Sequence, residues 1–248
     1  IALFLTFILQ IIKVTNYGFD FTDEGHYLNS SYYRYTYLNE ITHFGNVTQP
    51  IFYLLNANII NFRVFNIIAT LIFGTYLIYS SSKVNELPTE RHSRIKNYLH
   101  LSYVLFFGFT ALLSITSLKI ITPNYNSICF YGCCLIASSL CYLERKKGYY
   151  DFVYFLFYAA GLFLTISAKP TAGLGFVIFT MLYSLSKRNN YKFSILLANL
   201  IALFFSLLLL LLFHKFSIFS LYNQTINGLI NYKILDSGHT SLEIIKSI

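Results

Sequence analysis

Long apolar blocks recur along this chain, and short polar patches separate them. A helix needs about 17 to 25 mostly apolar residues to cross the hydrocarbon core of a bilayer, and the blocks approach or reach that length. Inside a bilayer every backbone polar group needs a partner within its own segment, so each block is expected to be helical. The pattern predicts membrane spans at residues 62–79, 98–118, 125–143, 152–168, 171–186 and 193–213.

The first apolar run, residues 1–12, is too short to span a bilayer and is interpreted as the end of a truncated helix. Counting that helix, the sequence predicts an all-α, polytopic integral membrane protein with about seven transmembrane helices. The composition agrees, since 56% of the residues are hydrophobic. Residues 1–248 are expected to form a single membrane domain, and we interpret the chain as a fragment truncated at both ends.

Basic residues concentrate in one set of loops, and the positive-inside rule predicts that this side is cytoplasmic. The segment 16–61 then becomes a long first extracytoplasmic loop, expected to contain short amphipathic helices. The net charge of +8 follows from the same loops, and the sequence shows no Gly-rich phosphate loop, so no nucleic-acid partner is predicted. The basic residues of that set are Lys83, Arg91, Arg94, Lys96, Arg145, Lys146, Lys147, Lys187, Arg188 and Lys192.

Asp20, Asp23 and Glu24 lie within five positions of each other in a chain that has only 10 acidic residues. Thr22 is a plausible N-cap of a surface helix, and its dipole would favour acids in the first turn. Asp23 and Glu24 would point about 100° apart on that helix, so one would project into the protein while the other orients it or binds a partner. The cluster is either an ordinary capped and solvated helix start or the site of a general base.

An Asp-Glu pair soon after the first transmembrane helix resembles the GT-C class of membrane glycosyltransferases, which includes protein O-mannosyltransferases and bacterial aminoarabinose transferases. Four further stretches resemble that class in their order and sidedness. They are "QPIFYLL" at 49–55, "FRVFNIIATLIFG" at 62–74, "TPNYNSICFYG" at 122–132 and "SAKPTAG" at 167–173.

The resemblance implies an inverting glycosyltransferase whose donor is a polyprenyl-phosphate-linked sugar. Asp23 matches the catalytic base and Glu24 its acidic neighbour, with transfer on the extracytoplasmic face of what would be a bacterial inner membrane. The acceptor, a hydroxyl or amine of a glycan, lipid or protein, is left open because His26 departs from the family pattern. The candidate substrate-binding residues are Lys169, Arg63, His26, Tyr27 and Asp20.

Purely structural roles are also open for several of these residues. Lys169, Arg63 and Arg34 could each anchor the chain at the membrane interface by snorkelling instead of contacting phosphate. No cofactor is predicted with certainty, and no metal-site residues are assigned. A divalent metal stays open, with His26 and His43 as ligands together with Asp20 and Glu24.

Two other functions use lipid-linked saccharides: a transporter or flippase, and a polysaccharide polymerase. A transporter should have charges or broken helices near the bilayer midplane, and the predicted spans have almost none. A polymerase would need a large Arg-rich outer loop, which this chain lacks.

Overall fold

The structure is a computed structural model of the 248-residue chain. It describes residues 6, 9, 10, 12, 13, 15, 16, 18, 23–33, 42–84, 121–143, 151–185 and 189–234. Within these ranges the regular elements are α-helices and no strand occurs. The helices are α1 Asp23–Tyr32, α2 Phe44–Leu54, α3 Ile59–Val84, α4 Tyr125–Leu143, α5 Asp151–Ala168, α6 Pro170–Leu185, α7 Asn189–Phe213 and α8 Ile218–Ile234.

The all-α prediction is confirmed for the described residues, and each predicted span that falls among them overlaps a helix, with end points that differ by up to five residues. Two helical segments, Ile59–Ser81 and Ile195–Phe213, are long and apolar enough to cross a membrane, while Val153–Ala168 and Pro170–Leu185 are apolar but shorter. The span predicted at 98–118 lies outside the described residues. Seven transmembrane helices therefore stay a prediction.

Local sequence signals explain where several helices begin. The side-chain oxygen of Asn58 accepts hydrogen bonds from the backbone N–H groups of Ile60 and Asn61, at 2.9 and 3.1 Å, which caps α3. Asn124 caps α4 in the same way. Pro170 opens α6, where a missing N–H costs nothing, and a single residue separates α6 from α5.

Helix α5 is the centre of the bundle and contacts α2, α4, α6 and α7. Its crossing with α4 is close because two glycines meet there. A Cβ atom added to Gly161 would lie 2.7 Å from the carbonyl oxygen of Gly132, and one added to Gly132 would lie 2.5 Å from that of Gly161. Neither position can take a side chain without moving the helices apart.

Polar side chains also join the helices inside the bundle. The hydroxyl group of Tyr158 in α5 donates to the side-chain oxygen of Asn199 in α7 at 2.5 Å and lies 2.8 Å from that of Thr180 in α6. The Thr180 hydroxyl lies 2.9 Å from the same Asn199 oxygen. All three residues are buried, so this neutral network joins α5, α6 and α7.

Helices α3 and α4 run in the same direction. Near their starts, the side-chain N–H of Asn66 donates to the carbonyl oxygen of Ile121 at 2.7 Å. Near their ends, the rings of Tyr76 and Tyr142 stack at 6.3 Å between centroids. The end of α3 and the start of α4 therefore lie at opposite ends of the bundle.

One end of the bundle gathers the two short helices and most of the predicted site residues. Side-chain and backbone contacts bring together eight parts of the chain there. They are α1, α2, the starts of α3, α4, α6 and α8, and the ends of α5 and α7. We call this region the loop-helix end.

Candidate functional site

The two adjacent acids of α1 have opposite surroundings. The side chain of Asp23 is exposed and makes no hydrogen bond or ion pair with any other described residue. Glu24 is only 4% exposed and points into the protein. The helical step between neighbours separates the two carboxylates, so one faces solvent while the other faces α3.

Arg63 of α3 binds Glu24 in a bidentate ion pair. The Nε of Arg63 donates to Oε1 of Glu24 at 2.8 Å, and Nη2 donates to Oε2 at 2.6 Å. The hydroxyl group of Thr122, just before α4, also donates to Oε1. A buried carboxylate needs such partners because an unpaired charge is very costly away from water.

The same guanidinium reaches the chain that precedes α1. Its Nη1 donates to the carbonyl oxygen of Thr15 at 2.6 Å, and its Nη2 donates to that of Gly18 at 2.7 Å. Arg63 thus connects α3 to α1 and to the segment before α1. Thr122 connects the start of α4 to the same group through its hydrogen bond to Glu24. Glu24 and Arg63, which the sequence places among catalytic and substrate-binding candidates, face each other here and fix the first turn of α1.

An aromatic cluster formed by Tyr27, Phe44 and Tyr125 lies beside this ion pair. The ring of Tyr27 meets those of Tyr125 and Phe44 edge to face, at 5.7 and 5.8 Å between centroids. Tyr27 follows Asp23 by one helical turn, so both residues lie on the same side of α1. The cluster therefore packs Tyr27 against the starts of α2 and α4, and Asp23 lies one turn earlier on α1, exposed to solvent.

Lys169, the single residue between α5 and α6, lies over the same cluster. Its ammonium group is 5.1 Å from the centroid of the Tyr125 ring, a distance suited to a cation–π contact. The side chain is partly exposed and forms no ion pair with another described residue. His26 is exposed on α1, and its ring meets that of Tyr27 at 5.7 Å. His26, Tyr27 and Lys169 therefore border one patch through the rings of Tyr27 and Tyr125, and Asp23 lies one helical turn before Tyr27. Asp20 and Arg34 lie outside the described residues.

A second polar group at the loop-helix end is centred on His43. Its backbone N–H donates to the carbonyl oxygen of Ser167 at 2.7 Å, and its Nδ1 lies 3.4 Å from the amide nitrogen of Gln224 in α8. The ring of His214 meets it edge-on at 5.5 Å. Burial, with a smaller contribution from His214, lowers the pKa of His43 to about 4. His43 is therefore neutral at neutral pH and can accept a hydrogen bond from Gln224.

The metal site left open by the sequence does not form among the described residues. Glu24 faces Arg63, and His43 faces His214 and Gln224. No group of three or more His, Cys, Asp or Glu side chains comes together in the part of the chain that the structure describes.

The sequence did not identify three residues that the structure places at this end. Thr122 and Tyr125 stand in the stretch "TPNYNSICFYG", but nothing in that stretch indicates contacts with α1. His214 follows a long apolar block and carries no pattern of its own. The contacts of these residues span long stretches of chain, as the hydrogen bond between Thr122 and Glu24 does across 98 positions.

Comparison with models of protein families, with curated proteins and with solved structures found no match to this chain. Chemically, this region offers an exposed carboxylate that can accept a proton, a cation that can face an anion, and aromatic rings next to that cation.

Proposed function

We propose that the chain is a polytopic protein of about seven transmembrane helices that transfers a sugar from a polyprenyl-phosphate donor. The acceptor would be a hydroxyl or amine group at the extracytoplasmic surface of a bacterial plasma membrane. The observation that carries the proposal is the contrast at the start of α1. A buried ion pair fixes the helix, and the neighbouring carboxylate of Asp23 is left exposed.

The membrane placement is supported by helix length and direction. At about 1.5 Å per residue, α3 is longer than the hydrocarbon core of about 30 Å. The opposite locations of the end of α3 and the start of α4 are those that a span at 98–118 requires. With that span, every described helix of the bundle alternates in direction and the site residues fall on one side.

Each residue of the patch has a role in this reaction. The acceptor oxygen or nitrogen attacks the anomeric carbon of the sugar while the bond from that carbon to the phosphate oxygen breaks. Asp23 takes the acceptor proton, and the prenyl phosphate leaves as an anion that Lys169 can stabilise. Attack from the face opposite to the leaving group inverts the anomeric centre.

Glu24 and Arg63 act as positioning residues in this scheme, because their charged groups are directed at each other. His26 and Tyr27 line the acceptor side, beside Asp23. The described interior of the bundle supports an enzyme over a transporter or flippase, since the polar network of Tyr158, Thr180 and Asn199 is uncharged.

A donor panel tests the activity. The purified full chain in lipid vesicles is mixed with radiolabelled prenyl-phosphate sugars and candidate acceptors, and the release of prenyl phosphate is followed. We expect prenyl phosphate to be released with one donor class and the label of its sugar to appear on the acceptor. Absence of transfer across the panel, from protein that is folded and inserted, would contradict the proposal.

Orientation is tested by labelling single cysteines in sealed cells. The four native cysteines, Cys129, Cys133, Cys134 and Cys141, are first replaced. Asn29→Cys places a thiol on the exposed side of α1, and Asn189→Cys places one at the start of α7. An impermeant reagent should modify the first and miss the second. The reverse pattern would put the site on the cytoplasmic side.

A further inference from the structure

Helix α8 follows α7 through a sharp turn. Lys215 and Phe216 both have positive φ angles, 53° and 59°, which end α7 and redirect the chain. The hydroxyl group of Ser217 then accepts a hydrogen bond from the N–H of Ser220 at 3.1 Å and caps α8. After this turn α8 contacts α7 at few positions. It does not fold back along α7 as an antiparallel hairpin would.

Two contacts place α8 along the loop-helix end. The hydroxyl group of Ser220 lies 3.2 Å from Nδ1 of His214, at the end of α7. About two turns into α8, Gln224 still reaches His43, which itself is bonded to Ser167 at the end of α5. The first half of α8 therefore stays level with the ends of α5 and α7.

The polarity of α8 is the reverse of that of a helix on a soluble protein. Its inward face consists of Ser220, Gln224 and Gly228, of which the last two are buried. Its outward face carries large apolar side chains, from 50% to 74% exposed, namely Ile218, Phe219, Tyr222, Leu229 and Ile230. A stripe of this kind at helical spacing should be covered by an apolar medium.

The outward stripe of α8 continues the apolar surface of α7. Phe204, Leu208 and Leu212 of α7 are exposed, and Phe216, in the turn, is 61% exposed between Leu212 and Phe219. If α7 crosses the bilayer, the medium that covers its exposed side chains extends directly onto α8. Asn223 and Asn227 follow one edge of the stripe, as expected for a helix at the boundary between acyl chains and headgroups.

We infer that α8 is an interfacial helix, lying in the plane of the membrane with its apolar stripe in the outer acyl-chain boundary. The occupant of the exposed face is lipid. The contacts of Gln224 with His43 and of Ser220 with His214 attach the other face to the loop-helix end. This inference rests on the membrane placement proposed for α7 and is independent of the transfer reaction.

The chain contains no tryptophan, so single tryptophans report on chosen positions without background. Phe219→Trp and Ile230→Trp lie on the stripe, and Asn227→Trp is the matched control off the stripe of the same helix. Leu208→Trp reports on α7. The full chain is placed in phosphatidylcholine vesicles whose lipids contain bromine either near the carbonyl groups or near the chain ends, and aqueous iodide is the second quencher.

We expect the stripe tryptophans to lose most of their fluorescence with the shallow bromines, and little with the deep bromines or iodide. Asn227→Trp should respond to iodide, and Leu208→Trp to the deep bromines. Three results would overturn the inference. Quenching of the stripe by iodide would mean that α8 faces water, and quenching by the deep bromines as strong as that of Leu208→Trp would mean that α8 spans the bilayer. Quenching by neither agent would mean that protein covers the stripe. A failure of Leu208→Trp to respond to the bromines would instead count against the membrane placement itself.

Discussion

The loop-helix end and the interior of the bundle both bury polar side chains, but with different chemistry. At the loop-helix end, Glu24 and Arg63 form a charged pair across 39 positions of sequence. In the interior, neutral hydrogen bonds of Tyr158 and close contacts between glycines hold α4, α5, α6 and α7 together. A charge is costly in the middle of a bilayer, whereas it can be retained where the helices leave it. The difference suggests that charge fixes the short helices and that packing fixes the bundle.

The largest stability effect is expected at the charged pair. Glu24→Gln leaves the buried guanidinium of Arg63 without a carboxylate partner among the described residues, and breaking a buried pair in this way typically costs about 3–5 kcal/mol. We expect a large fall in the unfolding temperature in detergent or vesicles. The matched control is Asp23→Asn, which removes a neighbouring but exposed charge and should change stability by less than about 0.5 kcal/mol. Equal effects of the two variants would contradict the contrast between the acids.

The close crossing of α4 and α5 should come next. Gly161→Ala places a methyl group 2.7 Å from the carbonyl oxygen of Gly132, and overpacking of this kind costs about 1–3 kcal/mol. Gly175→Ala in α6 is the control, because an added Cβ meets nothing within 4 Å there. Thermal unfolding of the two variants measures the difference. A Gly161→Ala protein as stable as the Gly175→Ala protein would show that the helices do not meet in this way.

The neutral network should have the smallest effect. Tyr158→Phe keeps the ring but removes the hydroxyl group shared with Thr180 and Asn199. Hydrogen bonds between membrane helices contribute about 0.6 kcal/mol on average, so a modest loss of stability is expected. Tyr222→Phe, on the exposed face of α8, is the comparison and should change little. A loss as large as that of Glu24→Gln would mean that the interior depends on polar contacts as much as the loop-helix end does.

The sequence predicted the helices of the bundle well because each is a long apolar block with a polar boundary. The tight α5–α6 connection is also readable in the sequence, because few residues separate the two apolar blocks and Pro170 can open a helix. Helix α8 was not predicted, since its apolar residues occupy one face and never form a continuous block. Its Ser217 cap is readable in the sequence only after the helix is known.

The site was predicted in part, for a physical reason. Helical geometry implies that Asp23 and Glu24 diverge, but it does not say which of them faces the protein. That depends on the position of Arg63, which α3 brings beside α1 only in the folded chain. The contact of His43 with Gln224, 181 positions away, is beyond any local pattern for the same reason. The role of Asp23 as a base stays a prediction.

The central claim is that the exposed carboxylate of Asp23 is the catalytic base, beside a neighbour that is held by Arg63. The most direct measurement compares the turnover of the wild-type protein with that of Asp23→Asn, using the active prenyl-phosphate sugar. The two proteins must first be shown to have the same unfolding temperature. Since general-base catalysis contributes about 10²–10⁴-fold, we expect turnover to fall by about that factor while donor binding is retained. Turnover of Asp23→Asn close to that of the wild type would contradict the claim and leave the acids as an ordinary helix start.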